Sequence, residues 1–276
     1  MKQPSYEEVT ELIKENLFHV KHIIIVGSGK GGVGKSTVSA NLAYTLAMDG
    51  NSVGILDADL NGPSLGKMTG IEGERVGPSI NEKIQPIKKN GVKIISMSSF
   101  IDNPDNPVIW RGPMKGSVIR QFLGEVEWGE LDYLVIDLPP GTGDEALTVA
   151  QSIPRADGIV IVTTPQDVAL LDSRKAINFA KSLNLPVIGI IENMSGFICP
   201  KCGEKIDLFK TGGGLKASNE FKIDFLGSIP IDIRIMETCD AGESFIFKYG
   251  KSENGQAFFN IMKKIIEKLE IKFSKS

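Results

Sequence analysis

The chain has 276 residues, a net charge of −3, 41% hydrophobic and 24% charged residues, which suits one large α/β domain. That charge excludes wholesale binding to nucleic acid or anionic lipid, and no apolar stretch approaches the roughly 20 residues that span a bilayer. Three cysteines are too few for a disulfide framework, and the N-terminus carries acids and no apolar signal core, so a reducing cytoplasm is the expected compartment.

Residues 4–18 are the first expected helix, with Val9, Leu12, Ile13 and Leu17 at helical spacing. Packing on the core is favoured there over holding a partner. Strands are expected at 22–27, 52–57, 92–98, 133–137, 158–163, 186–192 and 224–228. Several are near-continuous Val/Ile/Leu runs, as in strands covered on both faces. Helices are expected at 35–49, 114–124, 144–152, 167–183, 212–221 and 254–270. This alternation predicts an α/β fold, a mostly parallel sheet with helices on both faces and ligands at the carboxyl ends of the strands. Residues 70–91 are Gly-rich and polar and are read as an irregular excursion.

Immediately after the first buried strand comes GKGGVGKST, residues 29–37. Gly29, Gly34, Lys35 and Ser36 match the phosphate-loop pattern G-x-x-x-x-G-K-[ST], in the strand–loop–helix setting that the pattern requires. Gly29, Gly31, Gly32 and Gly34, with Val33 between them, let backbone N–H groups turn inward around a triphosphate at a helix N-terminus. Lys35 would reach the β/γ-phosphates, Ser36 would ligate Mg²⁺, and Thr37 would lie beside the α-phosphate. The early lysine, Lys30, gives the loop a resemblance to the deviant Walker A loop of the MinD/ParA/nitrogenase-iron-protein ATPases. That resemblance implies that Lys30 reaches a partner subunit's nucleotide across a dimer.

Further carboxylates fall at strand ends. Asp57 and Asp59 follow the second strand in DADLNGPS, 57–64. Beside a phosphate loop they fit metal and water handling, with Asp59 orienting the attacking water and Asp57 nearer the hydration shell of Mg²⁺. The alternative for two such acids is a turn or helix cap. Tyr133–Ile136 ends in Asp137, the Walker B form, placing Asp137 on Mg²⁺ through Ser36 or water. PPGTG, 139–143, then resembles a γ-phosphate-sensing switch loop, and Asp144 is expected to cap the next helix. By resemblance to the same ATPase group, Asn193 and Pro230, each just past a strand, contact adenine.

Cys199-Pro200-Lys201-Cys202-Gly203 has the spacing that lets two thiolates bind one metal centre. One pair supplies two ligands, whereas structural zinc and cubane iron–sulfur clusters usually take four. His19 and His22 lie by the phosphate-loop strand, and Cys239 is a lone thiol read as a small buried residue. The arithmetic points to two subunits, each giving Cys199 and Cys202. A thioredoxin-like pair is disfavoured, because Gly203-Glu204-Lys205 do not open a helix. On chemistry alone, zinc and iron–sulfur both remain open.

Together GKGGVGKST, DADLNGPS, PVIWRGPM (107–114), WGELDYLVIDLPPGTGD (128–144), IENMSGF (191–197), CPKCG (199–203), GGG (212–214) and FLGSIPID (225–232) resemble the Mrp/ApbC-type ATPases, iron–sulfur cluster carriers. The resemblance implies slow ATP hydrolysis coupled to cluster transfer to apo-proteins, in a homodimer bridged through Cys199 and Cys202. It implies ATP, Mg²⁺ and an iron–sulfur cluster, with 4Fe–4S the expected type, and neither nucleic-acid nor membrane partners. The domain reading is a short helical extension over 1–21 and an ATPase domain over 22–276 with the C-x-x-C as an insertion. The competing reading is a MinD/ParA-like positioning ATPase with a structural zinc. Its support is the apolar, lysine-flanked segment 258–269, for which packing on the sheet is favoured.

Overall fold

The computed structural model describes residues 5–80, 83–100, 112–153, 155–166, 168–199 and 201–273. Most of PVIWRGPM, and Pro200 of the C-x-x-C, lie outside the described residues. The chain runs α1 (Tyr6–Leu17), β1 (Val20–Gly27), α2 (Lys35–Met48), β2 (Val53–Asp57) and α3 (Leu65–Met68). Short strands follow, β3 (Gly77–Ile80), β4 (Lys83–Gln85), β5 (Ile87–Lys89) and β6 (Val92–Ile95). Next come α4 (Gly112–Glu125), β7 (Leu131–Asp137), α5 (Asp144–Gln151), β8 (Gly158–Thr163) and α6 (Val168–Ser182). The remainder holds β9 (Val187–Ile198), β10 (Lys205–Ile206), α7 (Gly213–Phe221), β11 (Phe225–Ile231), α8 (Ile233–Asp240), α9 (Phe245–Tyr249) and α10 (Glu253–Phe273).

The main sheet has the order β10-β9-β8-β1-β7-β2-β6-β5, with β11 also on β9. The strands from β6 to β9, and β11, are mutually parallel, while β5 and β10 add antiparallel pairs at the flanks. Alternation along β1 sends Ile24 and Val26 to one face and Ile23 and Ile25 to the other. The first pair packs under α2, α9 and α10, the second under α1, α4, α5 and α6. These strands read as continuous apolar runs because both faces are covered. The β1–α2 loop sits where β7 and β8 flank β1 on opposite sides, at the carboxyl edge.

Helix α1 begins with a capping box, Ser5 accepting from the Glu8 N–H at 3.2 Å and Glu8 accepting from the Ser5 N–H at 2.6 Å. It buries Ile13 and Leu17 against Ile119, Phe122 and Leu123 of α4. Asn16 then ties it to the Leu123 and Val126 carbonyls, at 2.8 and 2.9 Å. Helix α10 buries Phe258, Ile261, Met262, Ile265 and Leu269 in the core, so the apolar stripe of 258–269 is spent on the sheet. Among the described residues no helix is long and apolar enough to cross a membrane.

Several segments depart from expectation: α3, α8 and α9 are additional helices, β6 stops at Ile95 and β11 runs on to Ile231. β9 runs on to Ile198, because β10 and β11 pair with its far half. Residues 70–91 contain the antiparallel β3–β4 pair and β5 rather than irregular chain alone. Asp144 is the first helical residue of α5; Gly143 holds the cap position, with no side-chain cap bond.

Candidate nucleotide site and cysteine hairpin

The chain leaves β1 at Gly27 and re-enters regular structure at Lys35. Between them Gly32 and Gly34 take left-handed φ values of +78° and +77°. Close approach dictates two other features of the loop. A Cβ on Gly29 would lie 1.9 Å from the Asp172 carbonyl oxygen on α6, and one on Gly34 would lie 2.3 Å from Asn193 Nδ2.

Asp137, at the end of β7, gathers the cluster. Lys35 Nζ lies 2.7 Å from its Oδ1, Ser36 Oγ donates to Oδ2 at 2.6 Å, and Ser39 Oγ donates to Oδ1 at 2.6 Å. Asp57 stands beside it in register on β2, fully buried. Asp57 accepts from the Asp59 and Leu65 N–H groups, both at 3.2 Å, and from Ser96 Oγ at 3.0 Å. Burial, with the Asp137 charge behind it, pushes the Asp57 carboxyl up to about 8, opposed in part by Lys35. The donors Ser36, Asp137 and Asp57 are hard oxygens, the set that suits Mg²⁺ rather than a soft metal.

Asp59 is half-buried and accepts from the N–H groups of Asn61 at 3.3 Å and Gly62 at 3.1 Å. It lines a cavity of ≈ 260 Å³ with Lys30, Lys35, Ser36, Thr37 and Pro140. The 57–64 segment is tied to the first turn of α5, just past PPGTG: Asn61 Nδ2 donates to both Glu145 carboxylate oxygens, at 2.9 and 3.2 Å. Lys30 Nζ lies 3.4 Å from Asp172 Oδ2 of its own chain. Asn193 is buried and donates to the Val33 carbonyl at 2.9 Å, fastening the phosphate loop to β9. Pro230 follows Ile229, the register partner of Asn193, and lines a separate cavity of ≈ 390 Å³ with Phe197, Ile198, Asp232 and Arg234.

Sequence reading missed Ser39, Ser96, Glu145 and Asp172. Ser39 carried a signal, since it falls one helical turn after Lys35 and Ser36. The others reach the site through tertiary packing alone.

The C-x-x-C forms the tip of the β9–β10 hairpin. Cys199 N–H donates to the Glu204 carbonyl at 2.9 Å, and Gly203, at φ +72°, donates to the Cys199 carbonyl at 2.8 Å. The backbone N–H groups of Cys202 and Lys201, and then the Cys202 thiol, lower the pKa of Cys199. A thiolate cradled by amides in a tight turn is suited to ligation. Cys202 is exposed, Cys199 half-buried, and all three cysteines are free. Among the described residues no group of three or more His, Cys, Asp or Glu is placed to hold a metal.

A mainly parallel sheet, a glycine loop entering a helix at Lys-Ser, and an aspartate on the neighbouring strand bonded to that serine define a P-loop NTPase. A family model described as ParA, the NUBPL iron-transfer P-loop NTPases, matches residues 19–266, and the chain belongs to that family. It is 51% identical over 261 residues to the iron-sulfur cluster carrier protein of Methanocaldococcus jannaschii, covering 94% of this chain and 88% of that one. Against the iron-sulfur cluster carrier protein of Saccharolobus solfataricus the identity is 46%, covering 94% and 87%. A solved nucleotide-binding protein of Archaeoglobus fulgidus, in complex with ADP and with Co found, superposes with a TM-score of 0.75 at 44% identity, covering 84% and 91%. MinD of Pyrococcus horikoshii, complexed with Mg-ADP, shares the fold, with a TM-score of 0.65 at 24% identity, covering 88% and 95%.

Proposed function

We propose that the chain is an ATP-dependent carrier of iron–sulfur clusters that delivers them to apo-proteins in the cytoplasm. Two copies bridge one 4Fe–4S cluster through Cys199 and Cys202 of each. The observation that carries this reading is the cysteine hairpin: Cys199, its thiol pKa lowered by turn amides, stands with Cys202 where, among the described residues, no group of three or more His, Cys, Asp or Glu is placed to hold a metal, on a member of an iron-transfer family. Two thiolates half-fill the usual four-ligand shell, so a second copy completes it.

The phosphate loop, Gly29 to Gly34 with Lys35, Ser36 and Thr37, holds the triphosphate. Ser36 and Asp137 hold Mg²⁺, with Asp57 behind them. Mg²⁺ there supplies neutralisation of phosphate charge. Asp59 orients the attacking water, and Lys30 exchanges Asp172 for the partner's nucleotide. Asn193 and Pro230 frame the adenine side.

Mixing the anaerobically loaded chain with an apo-ferredoxin tests the reading. Visible absorption should move to the acceptor, and Lys35→Ala should change the ATP dependence of its rate. Equal transfer from a Cys199→Ser/Cys202→Ser variant would contradict the assignment.

A further inference from the structure

Glu192 is fully buried on β9, two strand-end features meet at it, and neither nucleotide nor cluster chemistry accounts for it. Its carboxylate accepts from Ser195 Oγ, from the Gly212 N–H at 3.0 Å and from the Gly214 N–H at 2.5 Å. Beyond Glu192 the strand runs on to Ile198, the chain carries Cys199 and Cys202 outward past its end, and it returns to the same carboxylate at Gly212. The triple glycine 212–214 is shaped for that return. Gly212 takes φ +86°; a Cβ on Gly213 would lie 2.4 Å from the Pro165 carbonyl oxygen, and one on Gly214 would lie 2.9 Å from Glu192 Cβ. A buried carboxylate is held by full hydrogen bonding, here from backbone donors at the start of α7.

The next residue, Asn193, points to the opposite side of the strand and donates to the Val33 carbonyl of the phosphate loop at 2.9 Å. Met194 and Gly196 then take φ +58° and +73°, fixing the path by which the strand departs. Consecutive side chains thus grip the nucleotide loop and both ends of the cysteine excursion.

We propose that Glu192 is a positioning residue for the cysteine pair, and that the Glu192–Asn193 step passes the nucleotide state of the phosphate loop to the 195–212 excursion. The role assigned to that excursion rests on reading Cys199 and Cys202 as the cluster ligands.

Hydrogen–deuterium exchange on the full chain, comparing Mg-ADP with a non-hydrolysable Mg-ATP analogue, tests this without any cluster. Wild type should show exchange rates in 197–210 that differ between the two nucleotides by about threefold or more. Glu192→Gln sets an amide donor against two backbone donors; it should abolish that difference, with nucleotide affinity within about twofold of wild type. Glu192→Asp should restore part of it. Gly214→Ala, which pushes the turn off Glu192 from the other side, should behave like Glu192→Gln and guards against a variant that fails to fold. A merely structural role would raise exchange equally in both nucleotide states. Persistence of the difference in Glu192→Gln, or its absence in wild type, overturns the proposal. Cluster retention in Cys199→Ser/Cys202→Ser alongside the expected exchange pattern would strike the ligand assignment and leave the transmission step standing.

Discussion

Ser36 Oγ donates to Asp137 Oδ2 at 2.6 Å, linking the first turn of α2 to the end of β7 across 101 residues of sequence. Lys35 and Ser39 converge on the same carboxylate, so Asp137 holds three polar side chains of the phosphate loop and the first turns of α2. Asp137→Asn removes the charge that holds them. It should lower ATP hydrolysis about 10²-fold or more, the scale for losing a preorganised charge contact. Steady-state phosphate release with excess Mg²⁺ checks this, and hydrolysis within a few-fold of wild type contradicts it.

Asp57 gives a pH signature to the nucleotide-free and metal-free protein. Burial and the Asp137 charge raise its carboxyl to about 8, against about 3.9 in an unfolded chain. Between those values the folded state keeps a proton that the unfolded state has released. Stability should therefore fall as pH rises from about 4 to about 8, with a slope of at most about 1.4 kcal/mol per pH unit. Asp57→Asn carries no titrating group and should flatten the profile. Urea unfolding at three pH values through this window, on both proteins, makes the comparison.

The thiols should differ in reactivity. Burial pushes Cys239 up to about 11, and the Thr37 hydroxyl opposes this only in part. The amides around Cys199 act in the other direction. At neutral pH, iodoacetamide should label Cys199 at least about tenfold faster than Cys239. Peptide mass spectrometry over a time course measures the order, and equal rates would contradict it.

Gly29→Ala brings a methyl group within 1.9 Å of the Asp172 carbonyl oxygen, a backbone atom with no rotamer to escape into. Loop and α6 must separate, at a cost near the upper end of the about 1–3 kcal/mol typical of overpacking. The same shift moves Asp172 from Lys30. A lowered urea midpoint together with weakened nucleotide binding is expected.

Much of this was legible from local pattern. The apolar runs marked the central strands because both faces of the sheet are covered, and the glycine loop marked its own geometry because phosphate cradling demands those residue types. β9 looked finished at Glu192, since Asn193, Ser195 and Gly196 break the apolar run; pairing with β10 and β11 carries it on to Ile198. Ser96 and Asp172 approach the site from elements far along the chain, which no local period encodes. Asn193 was singled out for a base contact by resemblance. Its grip on Val33 became visible only when β9 was laid beside the phosphate loop.

Anaerobic reconstitution with iron and sulfide tests the central claim most directly, with iron, sulfide and thiol counted per dimer and Cys199→Ser/Cys202→Ser run in parallel. The account predicts a sulfur-to-iron charge-transfer band, about four irons and four sulfides per dimer, and loss of both in the variant. Bound zinc without sulfide, unchanged by reconstitution, would contradict it and make the cysteine hairpin a structural staple.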